Sequence, residues 1–306
     1  MTLSMDLTPT RSKVAVLRDY VALTKPAINR MCLIMAGGGM FLASRTTPGA
    51  GLGIGQALLA LVGTALAIAS ANALNMWLER DTDRLMKRTK DRPLASDRIS
   101  PDGALAFGVV LGVVAVVMLA LGTNLATTLV GGLAIVSYVG VYTPMKYKAP
   151  LALVVGAIPG AVPPLMGWTA VTGRLDLPAL VLFGVLFIWQ IPHFIAIAVF
   201  RGHDYEAAGI RTVAAVRGVR VARRQAIAWA VAIVPMSLLL VPTGVAGWVY
   251  GASAAVLGIA FAAFAVRPIL KGAAPSPARW ARRLFVASLI YLPALVLALT
   301  LDAAFN

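Results

Sequence analysis

The chain of 306 residues is 59% hydrophobic and only 13% charged, with a mean hydropathy of +0.84, which excludes an ordinary soluble fold of this length. Its 27 Lys and Arg and 12 Asp and Glu fall in blocks between long uncharged stretches, the pattern of a multi-pass integral membrane protein. The net charge of +15 flanks apolar segments instead of lining a soluble face, which argues against nucleic-acid binding. A single cysteine, Cys32, rules out an internal disulfide, and with only His193 and His203 as imidazoles a His/Cys zinc cage is out of reach. Any metal must therefore be held mainly by oxygen.

In chain order, Met1 to Lys25 is polar and basic and lacks the apolar run and cleavage site of a signal peptide, so the first hydrophobic segment is expected to remain as a helix. Nine membrane spans are predicted, near Ala27–Ser44, Leu52–Leu74, Gly103–Gly122, Asn124–Thr143, Leu151–Val171, Leu177–Phe200, Ala226–Val241, Gly247–Val266 and Leu284–Thr300. The uncharged stretch from Gln225 to Val266 is too long for one crossing and is split by the turn signal Pro242-Thr-Gly-Val-Ala-Gly247. With nine spans, 25 of the 27 basic residues fall on the N-terminal side, and only Arg45 and Arg174 on the other. The positive-inside rule then predicts an N-terminus in the cytoplasm and a C-terminus outside. The expected organisation is a cytoplasmic segment 1–26, one transmembrane domain 27–301 with cytoplasmic loops near 79–102 and 201–224, and an external tail 302–306.

Ten of the twelve acids share the cytoplasmic side, most of them in those two loops, and a topogenic signal does not explain that. At about 100° per residue, Asn75, Glu79 and Asp83 lie on one helical stripe, while Asp81 points to another face. Arg84, Lys87, Arg88, Lys90 and Arg92 follow. Carboxylates for a hard divalent ion beside cations for phosphate oxygens suit a diphosphate–Mg²⁺ complex; the plainer reading is a polar loop whose acids offset its own bases. In the sixth span, Gln190 and His193 lie too deep for interfacial anchors, so they either hydrogen-bond between helices or touch substrate. A second acidic loop with Asp204 and Glu206 follows. Tyr142 and Lys146, four apart at the end of the fourth span, would share a face unless Pro144 disturbs it. Gly156, Pro159, Gly160, Pro163, Pro164 and Gly167 allow close packing and a kink, either as a cavity wall or as packing alone.

Taken together, these residues resemble the UbiA superfamily of intramembrane prenyltransferases, and within it the heme-farnesylating branch. The likeness rests on Thr24-Lys25-Pro26, on Asn75-x₃-Glu79-Arg-Asp81-x-Asp83 with Arg88-Thr89-x₂-Arg92-Pro93-Leu94, and on Tyr142-Thr-Pro144-x-Lys146. Gly160-Ala-x-Pro163-Pro164-x₂-Gly167-Trp168, Pro192-His193-Phe194 and Asp204-Tyr205-x₂-Ala208-Gly209-Ile210 complete it. The sequence departs from the family pattern at Glu79, where Asp is more frequent, at Ala27, where an Arg often stands, and at Arg211-Thr212-Val213, where Pro-Met-Leu is usual.

The resemblance implies an all-α bundle of nine transmembrane helices around a central cavity, in the cell inner (plasma) membrane. It implies Mg²⁺ held by Asn75, Glu79, Asp83 and Asp204, with Lys25, Arg88, Arg92 and Lys146 on the phosphates of farnesyl diphosphate. Tyr142 would stabilise an allylic cation, and His193 would orient or ligate heme B, the acceptor converted to heme O. The implied partners are these two substrates, the bilayer, and downstream heme-modifying or terminal-oxidase assembly proteins. The alternatives are a UbiA-type prenyltransferase acting on an aromatic acceptor such as 4-hydroxybenzoate and, from another class, a secondary transporter.

Overall fold

The computed structural model describes residues 12–270 and 276–305. Arg11 and Lys271, both counted in the charge asymmetry, lie outside the described residues, as do the rest of residues 1–11 of the N-terminal segment and Asn306. All regular structure among the described residues is helical.

Helix α1 (Lys13–Leu23) is capped by Ser12, whose side chain accepts from the Ala15 N–H, and it precedes the first long helix α2 (Pro26–Thr46). Helices α3 (Ile54–Asp83), α4 (Pro101–Gly122) and α5 (Leu125–Val136) follow, and α5 runs through a π-helical turn (Ser137–Tyr142) into the short α6 (Thr143–Met145). Next come α7 (Ala152–Thr172), α8 (Leu177–Phe200), the short α9 (Gly202–Ala207) and α10 (Val213–Arg217), and then α11 (Val219–Leu238), α12 (Trp248–Leu270) and α13 (Pro277–Phe305). Eight helices among the described residues, counting α5 through α6 as one, are long and apolar enough to cross a membrane. The remaining expected span, the seventh, corresponds to α11, a 20-residue helix whose first turns carry Arg220, Arg223 and Arg224 and so dilute its hydropathy. It still packs between α8 and α12, so the nine-helix count holds approximately.

Two spans begin earlier than hydropathy suggests. Helix α11 starts at Val219 and α13 at Pro277, seven residues before the predicted starts, because arginine ends an apolar run without ending a helix. At its other end α13 continues to Phe305, past the Thr300 boundary expected for the span. Asp302 is buried there and accepts from the backbone N–H groups of Gly247 and Tyr250, at 2.6 and 3.0 Å, tying the start of α12 to the last helix. An acid near a helix N-terminus also meets the positive end of its dipole.

Helix α7 is continuous despite Pro159, Pro163 and Pro164. Its glycines permit backbone contact with α2: a Cβ on Gly167 would lie 1.8 Å from the Ala36 carbonyl oxygen, and one on Gly39 would lie 2.2 Å from that of Pro164. The large apolar core runs through α7, α8, α11, α12 and α13. A smaller cluster of Leu23, Ala73, Met76, Leu94, Ile99 and Ala104 packs α1 and the 84–100 loop against α3 and α4. That second cluster brings the N-terminal segment and the basic loop to one end of α3.

A cluster of carboxylates and cations at the end of helix α3

Helix α3 continues through the whole acidic motif, so the predicted stripe forms. Asn75, Glu79 and Asp83 are buried, whereas the Asp81 side chain is 75% exposed and approaches Arg80 at 3.8 Å. The Asn75 amide donates to Glu79 Oε1 and, at 3.0 Å, to Thr143 Oγ1. Lys146 Nζ donates to the same Glu79 oxygen, forming an ion pair with both side chains nearly buried. Arg92 donates to Asp83 Oδ2 at 2.7 Å, and the other Asp83 oxygen is buried with no hydrogen-bond partner among the described residues.

Lys25 reaches the cluster from the other side. Its Nζ donates to Asn75 Oδ1 at 3.0 Å, from a backbone in the left-handed region (φ 48°) immediately before Pro26. A proline disfavours helical backbone in the residue before it, and a non-glycine residue at positive φ costs about 1–3 kcal/mol. The conformation is held by Leu23, fully buried in the smaller cluster, and by Asn72, whose amide donates to the Thr24 carbonyl. Lys25 lies outside the spans, and its ammonium is pushed down to about 8, first by burial and then by the neighbouring Arg92 guanidinium.

The basic loop is folded back onto the end of α3. Buried Thr89 donates to the Asp83 carbonyl at 2.8 Å, and Arg98 bonds Asp19 of α1 at 3.0 Å. Arg88 stays exposed at the rim. On the opposite wall, the Thr143 N–H bonds the Tyr138 carbonyl five residues back, the defining contact of a π turn. Pro144, which lacks an N–H, sits just beyond it. The Lys146 N–H still bonds the Tyr142 carbonyl, so Pro144 does not unwind the turn. The Tyr138 and Tyr142 rings lie side by side with centroids 5.2 Å apart, and Tyr142 sits over Gly156, where a Cβ would come within 2.5 Å of the ring.

The second acidic loop meets the first electrostatically, although its carboxylate stays separate. Asp204 approaches Arg201 at 3.8 Å, and among the described residues no three His, Cys, Asp or Glu side chains converge as a ready metal cage. Tyr205, within the second loop, has its hydroxyl pushed up mainly by burial; Arg88 and Arg201 oppose the rise, and Glu79 and Asp204 add to it. The unusual segment after Ile210 has a structural role here, since the Arg211 N–H bonds the Lys146 carbonyl at 2.9 Å and ties the second loop to the lysine. His193 and Gln190 are buried in α8: Gln190 donates to the Leu186 carbonyl and abuts Gly160, and His193 Nδ1 lies 2.8 Å from Ser288 Oγ of α13.

Of the ten candidate residues, the structure therefore links Lys25, Asn75, Glu79 and Lys146 by direct bonds and pairs Arg92 with Asp83 one turn further along the same stripe. Tyr142 stands one residue from Thr143 on the adjoining wall, Arg88 and Asp204 act on Tyr205 at the rim, and His193 belongs to a different contact, between α8 and α13. Sequence reasoning missed Thr143, Thr89 and Ser288. Thr143 and Thr89 stood inside motifs already noted, whereas Ser288 lies 95 residues from its partner in a segment with no motif.

Fold and site together define a polytopic enzyme with a polar cluster at one end of a helical bundle, and the UbiA prenyltransferase family model matches residues 32–289. The chain belongs to that family. Among curated relatives it is 46% identical to the protoheme IX farnesyltransferase of Anaeromyxobacter sp., covering 94% of each chain. It is 47% identical to the protoheme IX farnesyltransferase of Sorangium cellulosum, over 81% of this chain and 88% of that one. The fold is similar to that of a digeranylgeranylglyceryl phosphate synthase, with a TM-score of 0.78 at 18% identity, covering 95% of this chain and all of the other. It is also similar to that of a UbiA homologue from Archaeoglobus fulgidus bound to GPP and Mg²⁺, with a TM-score of 0.65 at 16% identity, covering 92% and 99%.

Proposed function

We propose that this protein transfers a farnesyl group from farnesyl diphosphate to a vinyl group of heme B, the diphosphate leaving, a new C–C bond forming and a water adding to the adjacent vinyl carbon with loss of a proton, to give heme O. The observation that carries the chemistry is the buried stripe of Asn75, Glu79 and Asp83 with Lys25, Arg92 and Lys146 bonded to it. The acceptor rests on the family relatives, whose names specify protoheme IX and a farnesyl group.

The donor set fits a hard divalent ion: it is all oxygen, and one Asp83 oxygen is buried with no partner among the described residues, a costly arrangement unless something else binds it. Asn75, Glu79 and Asp83, with Asp204 from the second loop, would hold Mg²⁺. When bound, the ion supplies positive charge to the leaving diphosphate. Lys25, Arg92 and Lys146, now paired with this stripe, turn to the phosphate oxygens together with Arg88, so charge on the leaving group is offset as the C1–O bond ionises. The Tyr142 ring stabilises the resulting allylic cation. The surrounding apolar helices keep water away and hold the farnesyl tail. His193 binds the heme side of the reaction.

The working frame is a single transmembrane domain, 27–301, in the plasma membrane with its N-terminus in the cytoplasm. The test is purified protein given farnesyl diphosphate, heme B and Mg²⁺, with products read by mass spectrometry. Heme O is expected, and none in excess EDTA. A prenylated phenolic acid in its place would transfer the assignment to an aromatic acceptor, and undiminished turnover in EDTA would remove the metal.

A further inference from the structure

The last third of the chain, α11 to α13, carries no catalytic motif, yet among the described residues α13 supplies the one hydrogen-bond partner of the His193 ring. His193 Nδ1 lies 2.8 Å from Ser288 Oγ, and the fully buried Ser288 hydroxyl is also 2.6 Å from the Phe285 carbonyl oxygen in its own helix. A hydroxyl has one proton. The carbonyl can only accept, so it takes that proton, and the contact with the ring is satisfied only if Nδ1 donates to Oγ. The neutral imidazole then carries its proton on Nδ1 and a bare lone pair on Nε2, which makes no hydrogen bond among the described residues.

The ring is also fixed in orientation. It stacks on Trp189 with centroids 4.9 Å apart and lies 4.8 Å from Phe285. The Trp189 indole N–H donates to the Ser288 carbonyl at 2.9 Å, so both aromatic neighbours are tied to the same serine. An imidazole that donates one N–H to oxygen while the other nitrogen is left bare is the usual arrangement of a metal-ligating histidine, and it raises the basicity of the free nitrogen.

We propose that Ser288 is a positioning residue that holds His193 in its Nδ1–H form and presents Nε2 as the ligand for the iron of the heme acceptor. The inference rests on the heme-acceptor reading, and the two are separated by measuring the tautomer without heme. His193 and His203 are the only histidines, so ¹⁵N-histidine labelling of a His203→Gln variant leaves one ring to observe. A protonated Nδ1 and a bare Nε2 are expected in otherwise wild-type protein, and a mixture of tautomers in Ser288→Ala. Heme titration followed by absorption should show His193-dependent ligation in the wild type, weakened about ten-fold in Ser288→Ala, with farnesyl diphosphate affinity unchanged in both. Ser288→Cys, which keeps a weak acceptor, should recover part of the loss. A protonated Nε2 in the wild-type ring, or heme spectra and affinity indifferent to Ser288→Ala, would overturn the positioning role while leaving heme as the acceptor. The expected tautomer in a protein that binds no heme would overturn the acceptor reading, and the ligand role with it.

Discussion

Asp81 and Asp83 sit two residues apart on one helix, yet one is in solvent and the other at the centre of the cluster. Spacing alone separated them: a helix running through the motif turns Asn75, Glu79 and Asp83 inward and Asp81 outward. Asp83→Asn should therefore lower kcat by about a hundred-fold or more, the order lost when a charge-stabilising group is removed from a reacting centre. Asp81→Asn should stay within about two-fold, as expected for an exposed pair. Equal losses in a steady-state assay would remove Asp83 from its special place. The partners of these acids were not legible, because Lys25 lies 50 residues from Asn75 and Lys146 lies 67 from Glu79, and no local pattern encodes such pairings. Lys25 gives the site a pH signature. With its folded value near 8, below the ordinary lysine value of 10.5, the ammonium is a cost to the fold below pH 8, and stability rises as pH climbs from 8 towards 10.5. Diphosphate binding needs the charged form, so kcat/KM should fall about ten-fold between pH 8 and pH 9 to 9.5 as Lys25 loses its proton. Lys25→Arg, which stays charged, should hold kcat/KM level across that range, and a wild-type profile flat to pH 9.5 would count against Lys25 as a phosphate group.

Most helices could be placed from hydropathy because lipid forces apolar residues into runs of a fixed length, and Leu177–Phe200 matched to the residue. Runs with charged ends were read short, as α11 and α13 were. The π turn before Pro144 left no trace that apolar periodicity could register. The proline and glycine content of α7 left two readings open, a cavity wall or packing, and the contacts show packing: Gly156 lies against the Tyr142 ring, while Gly167 and Gly39 let α2 and α7 cross with backbone in contact. In a membrane, small residues let helices approach where the hydrophobic effect contributes little between them. Gly167→Ala would drive a Cβ into a carbonyl that no rotamer change can move, so it should destabilise the detergent-solubilised protein by about 1–3 kcal/mol or more. Gly37→Ala, with open space around it, should leave the midpoint of thermal unfolding within error. Similar midpoints for the two variants would mean that α2 and α7 do not meet as closely as described.

At the scale of the whole molecule, the charge asymmetry and the site point to the same side. The loops that carry Arg88, Arg92, Lys146 and Asp204 are the ones in which basic residues collect, whereas Arg45 and Arg174 belong to loops at the other ends of the helices. The expected topology has that basis: the residues proposed to bind phosphate also count as positive-inside signals, and the two demands agree. What the count did not contain is how the opposite end is closed, where Asp302 caps the start of α12 and Arg45 donates to the Ala303 carbonyl. Those contacts join residues 55 and 258 positions apart, a separation no composition argument reaches. The orientation itself can be tested with cysteines, because Cys32 is the only native one and Cys32→Ser gives a clean background. Lys87 and Leu175 are both exposed, in loops predicted to lie on opposite sides. In intact cells a membrane-impermeant maleimide should label Leu175→Cys and spare Lys87→Cys, and in inside-out vesicles the pattern should reverse. Labelling of Lys87→Cys from outside would put the diphosphate site on the external face, away from the cytoplasmic side that the positive-inside rule assigns to it.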